Sequence, residues 1–227
     1  MKFGLSTHLF HGERLTRAHM ETIRANGFEL VEIFATRTHL DYHDLRQVEN
    51  LREWLDEFGL RASSVHGPIC ESFTHGVWGR SYSNASTQPA RRDEAIAETQ
   101  VAFEAARRLG ASSVVVHLGL PRFQEVTADD NDPGAVRRSL DVLAEASAAT
   151  GVRLALEVMP NFLSTPEALL DLLEEEQKPP APVAHRICPD PQTTRRTLPR
   201  ESWPQACDFS AGRLGPSMLL RTPTQKR

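Results

Sequence analysis

The amino-acid sequence predicts an α/β fold: an incomplete (β/α)8 barrel of about five βα units, followed by an irregular C-terminal tail. Three observations predict it. Short β-branched or apolar runs alternate with longer segments of helical period, the pattern of parallel βα units. No Gly-rich dinucleotide loop follows any of these runs, which favours a barrel over a doubly wound sheet. The composition then breaks sharply after Gln177. At 227 residues the chain is long enough to bury one sizeable core.

The first strand is expected over Lys2 to Ser6, followed by a helix from Leu15 to Asn26 that Gly27 stops as a C′ residue. The second is Leu30 to Phe34. After it Asp44 caps a helix whose apolar positions Leu45, Val48, Leu51, Leu55 and Phe58 step by three or four until Gly59. The third strand closes at His66, where Gly67 and Pro68 force a turn because proline lacks an N–H and glycine tolerates the bend. A long connection from Gly67 to Gln88 leads to a helix with Ile96, Phe103, Ala106 and Leu109 on its core face, stopped by Gly110. The fourth strand ends at His117. Pro133 starts the next helix, which Gly151 terminates, and the fifth strand runs from Val152 to Val158. Thr165 and Pro166 read as N-cap and first residue of a helix to Glu176.

Two regions follow: a partial barrel at 1–177 and a Pro/Arg-rich irregular or disordered tail at 178–227. The tail holds nine Lys and Arg against three Asp and Glu, and nine of the fifteen prolines, too dense for regular helices or interior strands. Such a change is expected where the chain is truncated or its reading frame leaves the barrel. The whole chain carries −4, so with +6 in the tail the first 177 residues carry −10. That balance gives no pull toward nucleic acid or an anionic membrane. Cys70, Cys188 and Cys207 form no C-x-x-C pair, so neither a disulfide framework nor a thiolate zinc site is expected. No stretch approaches 18 apolar residues and the first residues lack a leader pattern, so a cytoplasmic location without membrane contact is expected.

Chemistry concentrates at the strand ends. Ser64-Val65-His66-Gly67 and, fifty-one residues later, Val115-Val116-His117-Leu118-Gly119 are two β-branched runs that stop at histidine. A lone histidine at a strand end is usually an ordinary polar residue. In a barrel, however, the C-terminal strand ends share one mouth, so His66, His117 and Glu157 become neighbours. Two imidazoles and a carboxylate are ligand types that Zn²⁺ or Mn²⁺ accepts. Glu157, following Leu154-Ala155-Leu156, would also be costly to bury without a partner. His8 ends the first strand at the same mouth as a substrate-binding candidate. Glu32, inside the second strand, needs a partner such as an Arg or Lys. The connection with Phe73, His75, Trp78, Arg80 and Tyr82 has the length and aromatic content of a lid. His11, His19, His39 and His43 read as surface residues.

These motifs, with Leu156-Glu157-Val158-Met159-Pro160-Asn161 and the Ser164-Thr165-Pro166-Glu167 helix start, resemble the xylose isomerase-like TIM barrels. That family includes sugar phosphate isomerases and epimerases and the endonuclease IV type of AP endonuclease. The resemblance covers about Lys2 to Glu176. It implies that Glu157 is the metal-binding glutamate of the fifth strand, and that His66 and His117 are metal ligands as in the nuclease branch or lie near substrate as in the epimerase branch. Members usually add an Asp, often with a nearby His, after strand six, a His from strand seven and a Glu from strand eight. The tail offers only His185, Asp190, Glu201 and Asp208, none in a strand-like setting, so the usual second half of the metal site is missing.

The resulting expectation is a divalent-metal-dependent sugar or sugar phosphate isomerase/epimerase, working by proton transfer through a metal-stabilised enediolate. The cofactor is Mn, Mg, Co or Zn. Glu157, His66 and His117 are both the catalytic and the metal residues, and His8, Trp78 and Arg80 bind substrate. The partner is a small sugar or sugar phosphate rather than nucleic acid, and the exposed barrel edge favours a homo-oligomer. The alternatives are phosphodiester hydrolysis at damaged DNA, which needs a basic groove, and an inactive barrel fragment.

Overall fold

The computed structural model describes residues 3–122 and 127–175. The tail at 178–227, the boundary at Gln177, Lys2, and the candidates His185, Asp190, Glu201 and Asp208 lie outside the described residues.

The strands are β1 (Gly4–Ser6), β2 (Leu30–Phe34), β3 (Arg61–His66), β4 (Phe73–Thr74), β5 (Val77–Trp78), β6 (Ser113–Val116) and β7 (Arg153–Leu156). The helices are α1 (Arg17–Ala25), α2 (Leu45–Glu57), α3 (Pro89–Leu109), α4 (Pro133–Thr150) and α5 (Pro166–Glu175). Among the described residues one sheet has the spatial order β1-β2-β3-β6-β7, every pair parallel. The order never reverses. A doubly wound sheet would change direction at a switch point, so this is the winding of a barrel, here with five strands described.

Strand periodicity divides the side chains between two faces. Val31, Ile33, Val65, Val114, Val116, Leu154 and Leu156 join the main core, with Met20, Ile23, Val48, Leu51, Leu55, Phe103, Leu109 and Leu143 from the helices. The alternate positions Glu32, Phe34, Ser64, His66 and Ala155 belong to the other, concave face. The helices pack against their sequence neighbours, α1 on α2, α2 on α3 and α3 on α4, as right-handed crossovers require.

Local chemistry fixes the helix ends. Asp44 accepts the Arg46 N–H on α2, and Asp132 accepts the Ala135 N–H at 2.6 Å on α4, whose first residue is Pro133 as expected. The Thr165 hydroxyl accepts the Ala168 N–H at 3.1 Å and so caps α5. Helix α1 is shorter than its apolar pattern. It starts at Arg17, where His19 Nδ1 accepts the Thr16 N–H at 3.1 Å, while Leu15 stays in the core outside it.

The long connection after β3 contains an antiparallel hairpin, β4 and β5, plus a bridge between Cys70 and Ser81. Two-residue strands are too short to show a period, so the sequence pattern does not reveal them. Its tight turn puts His75 in the left-handed region at φ 52°. Among the described residues no helix is long and apolar enough to cross a membrane.

Phe103 is fully buried where α3 meets the sheet. Phe103→Ala removes its ring contacts and leaves a cavity, with an expected loss of about 3–5 kcal/mol measured by urea unfolding. A loss below about 1 kcal/mol would show that α3 is not part of the cooperative core.

Candidate metal centre

His66 is the last residue of β3, His117 follows the end of β6, and Glu157 follows the end of β7. The strand register places them together. Val116 is opposite Leu156, and the next rung is the Glu157 N–H donating to the Val116 carbonyl at 3.2 Å. The Nε2 atoms of His66 and His117 each lie 3.2 Å from the same Glu157 oxygen, Oε2. The imidazoles meet edge-on, centroids 4.9 Å apart, and one donor atom from each of the three residues falls within 4.8 Å of the others. His66 and Glu157 are buried; His117 is partly buried.

The concentration of donor atoms has an electrostatic consequence. His66 Nδ1 lies 2.9 Å from the Gly67 carbonyl, which can only accept, so in the neutral imidazole Nδ1 carries the proton and the Nε2 lone pair is directed at Glu157. A lone pair facing a carboxylate oxygen at 3.2 Å is repulsive unless a proton or a cation lies between them. Two imidazole nitrogens and a carboxylate oxygen in this arrangement suit a divalent transition ion.

Gly67 is required for a reason other than the expected turn. Its backbone is outside the left-handed region, but a Cβ there would lie 2.9 Å from the Val115 carbonyl, which already accepts the Gly67 N–H at 2.8 Å. Close approach of β3 to β6 beside His66 therefore demands glycine.

A continuous series of rings leads away from the three residues. Phe34 lies 5.5 Å from His66 and 4.3 Å from His8; His8 stacks on His11 at 4.8 Å, and His11 on Trp78 at 5.0 Å with planes 11° apart. Phe73 packs on His11 and on Trp78, both at 4.4 Å. The structure thus places His8 and Trp78, and the unanticipated Phe34 and His11, along one wall. Trp78 remains 39% exposed at the outer end. Arg80 is engaged elsewhere: both guanidinium Nη atoms bond Glu94 on α3, and the group lies 6.0 Å from the Tyr82 ring.

The expected surface position of His39 is overturned, since it is fully buried and Nδ1 bonds the Glu13 carbonyl at 2.6 Å. His11 is likewise packed in the ring series, and His19 serves as a helix cap. For His39 and His11 only folding reveals these roles, because their partners come from other segments. Glu32 is buried as expected, but its partner is a hydroxyl: Ser64 Oγ donates to Oε2 at 2.9 Å, while Oε1 has no hydrogen-bond partner among the described residues.

The loop between β2 and α2 is braced by a group that the sequence did not disclose. Glu98 of α3 accepts from the Tyr42 hydroxyl at 2.5 Å, bonds His43 Nε2 at 2.8 Å and pairs with Arg37 at 2.7 Å. Burial alone would raise the Glu98 carboxyl, but these three donors hold it below the ordinary range. The same loop holds the hairpin, since the Phe73 N–H donates to Thr38 Oγ1 at 2.9 Å. Cys70 is buried, and burial pushes its thiol up to about 11, so it is no nucleophile at neutral pH.

A parallel sheet wound in one direction, with imidazole and carboxylate donors gathered at its C-terminal edge, defines an α/β barrel with a candidate metal centre at its mouth. The family follows from the sequence comparison: residues 20–193 match the model of the xylose isomerase-like TIM barrel, and the chain belongs to that family. The matched span runs past Gln177. No curated protein matches the sequence.

Among solved structures, a D-tagatose 3-epimerase-like protein is 26% identical, with TM-score 0.62 over 82% of this chain and 64% of its own. D-psicose 3-epimerase from Clostridium cellulolyticum H10, solved with D-tagatose, is 20% identical, with TM-score 0.57 over 77% and 60%. A xylose isomerase-like TIM barrel protein from Mycobacterium smegmatis, in complex with magnesium, is 16% identical, with TM-score 0.57 over 83% and 64%. The chain therefore spans less than two-thirds of the length of these three proteins.

Burial, reinforced by the nearby His19, His11 and Arg14, depresses the His39 pKa from 6.5 to about 4. The unfolded chain gains this proton as pH falls below about 6.5 and the folded chain only near 4. The contribution is thus complete above 6.5 and lost on acidification through 4, amounting to about 3 kcal/mol. The melting temperature is expected to fall across that window, and His39→Gln to flatten that part of the profile. Identical parent and variant profiles would show that His39 titrates normally.

Proposed function

We propose that this barrel carries the site of a divalent-metal-dependent isomerase or epimerase acting on a small sugar or sugar phosphate. The observation that carries the reading is the convergence of His66 and His117 on one oxygen of Glu157. Family membership and sugar epimerases among the structural neighbours support it.

His66, His117 and Glu157 would hold the ion, and their two nitrogen donors favour Mn, Co or Zn over Mg. When bound, the ion supplies positive charge beside a substrate carbonyl whose oxygen becomes anionic as the adjacent C–H loses its proton. Glu157 takes that proton on its carboxylate and, in an isomerisation, delivers it to the neighbouring carbon as the hydroxyl proton passes to the former carbonyl oxygen. An epimerisation needs a second acid to protonate the opposite face of the original carbon. The burial of Glu157 keeps bulk water from intercepting the transfer. His8 and Trp78 offer a face against which the carbon chain of a sugar packs, and His66 and His117 orient the reacting oxygens. Arg80, with Glu94, fixes the stem of the hairpin beside this face and contributes to substrate binding through it. The reading includes a barrel domain at 1–177 and a separate tail at 178–227, a division supported by the composition break.

The first test is a thermal melt of the 227-residue chain with Mn²⁺ or Zn²⁺, beside Glu157→Gln. At 100 times Kd a native-state ligand stabilises by about 2.7 kcal/mol. A metal-dependent rise in the parent and none in the variant is the expected result, to be followed by epimerisation assays on D-tagatose and D-psicose. Equal rises in both proteins would remove Glu157 from the site and with it this reading.

A further inference from the structure

We propose that Asn161, with Ser164, is the positioning residue that sets His117 against Glu157; the proposal rests on the metal-site reading above. The regular β6–β7 ladder stops at the pair Val116 and Leu156, with one further bond from the Glu157 N–H to the Val116 carbonyl. His117 and Glu157 both lie at or beyond this limit, where strand pairing no longer fixes one loop relative to the other. Side chains take over.

Asn161 lies four residues after Glu157, on the same loop, and is 1% exposed. Its Nδ2 donates across to the carbonyl of Leu118, the residue next to His117, at 2.8 Å, and to that of Leu120 at 3.2 Å. Its Oδ1 accepts the N–H groups of Leu163 and Ser164, both at 2.9 Å. The two donors and two acceptor sites of the amide are all engaged, so the group cannot rotate without losing bonds on both loops. Ser164 is also buried, and its Oγ donates to the same Leu118 carbonyl at 3.1 Å.

The opposite side of the segment is held in the same manner. Asn131 accepts the Leu120 N–H at 2.7 Å and donates to the Leu120 carbonyl at 3.1 Å. Asn84 Nδ2 reaches the His117 carbonyl at 3.3 Å. Gly119 permits the bend between these anchors, with φ +75°. Residues 117–120 are therefore held by side-chain amides from three separate segments. Of those three asparagines, Asn161 alone shares its loop with Glu157, so its bonds fix the distance between the two donor residues. It touches neither donor side chain in the bonds described and acts through the backbone that carries them.

The test is a Co²⁺ titration of the full chain followed by visible absorption. Asn161→Asp keeps the size and the two acceptor bonds but opposes a carboxylate oxygen to the Leu118 and Leu120 carbonyls. Its expected effect is a roughly 10–100-fold loss of Co²⁺ affinity with an altered ligand-field spectrum. Ser164→Ala removes one donor to the Leu118 carbonyl and is expected to act in the same direction to a smaller degree; it decides the matter if Asn161→Asp does not fold. Parental affinity and spectrum in a folded variant, with only a lowered melting temperature, would overturn the positioning role and leave the metal site standing. A parent that binds no Co²⁺ would overturn the metal-site reading itself, and the positioning role with it.

Discussion

The whole arrangement depends on the constraint that parallel strands joined in one rotational sense end at a common edge. Each crossover returns the chain to the same end of the sheet, so the last residue of every strand arrives beside the last residue of its neighbour. His66 and Glu157 are 91 residues apart in sequence, yet an imidazole nitrogen of one lies 3.2 Å from a carboxylate oxygen of the other. No local interaction accounts for that distance. It follows from the β3, β6 and β7 register, and the Val115 carbonyl that demands a side-chain-free Gly67 is part of the same register.

The two faces of the sheet answer to different physical requirements. The helix-facing positions are filled by Val, Ile and Leu, whose burial supplies the stability of the fold. The concave face contains buried Ser6, Glu32, Ser64, His66 and Glu157, which contribute stability only where they are hydrogen-bonded. Ser64 meets Glu32, the Gly67 carbonyl meets His66, and both imidazoles approach one Glu157 oxygen. The polar groups of the concave face thus gather where the strands end, and the three that could hold a metal ion lie within 4.8 Å of one another.

The loops beyond the strand ends extend the same architecture with side-chain chemistry. Glu98 ties the β2–α2 loop to α3, that loop holds the hairpin through Thr38, and the hairpin carries Trp78 to the end of the ring series that begins at His66. Asn84, Asn131 and Asn161 do comparable work on the loop after β6. The mouth is therefore supported by side-chain polar bonds together with core residues of the same loops, Leu118 and Leu163.

Much of this was legible in the residues. Alternating strand and helix patterns, the Asp44 and Thr165 caps, Pro133 at a helix start, and the repeated ending in histidine specified the parallel units, and equivalent strand positions nominated His66, His117 and Glu157. Those signals are local or periodic, and backbone stereochemistry with a 2.0- or 3.6-residue period expresses them directly in sequence. The hairpin strands were too short to have a period. The burial of His39, the bracing role of Glu98, the hydroxyl partner of Glu32 and the four bonds of Asn161 depend on groups from other segments. Local sequence specified which segments are strands and which face of each helix is apolar, while the strands after α3 and α4 end at Val116 and Leu156, one and two residues short of the expected His117 and Val158. Tertiary structure alone decided which of those ends share an oxygen and which amides hold them, because long-range register is set by the packing of the whole sheet.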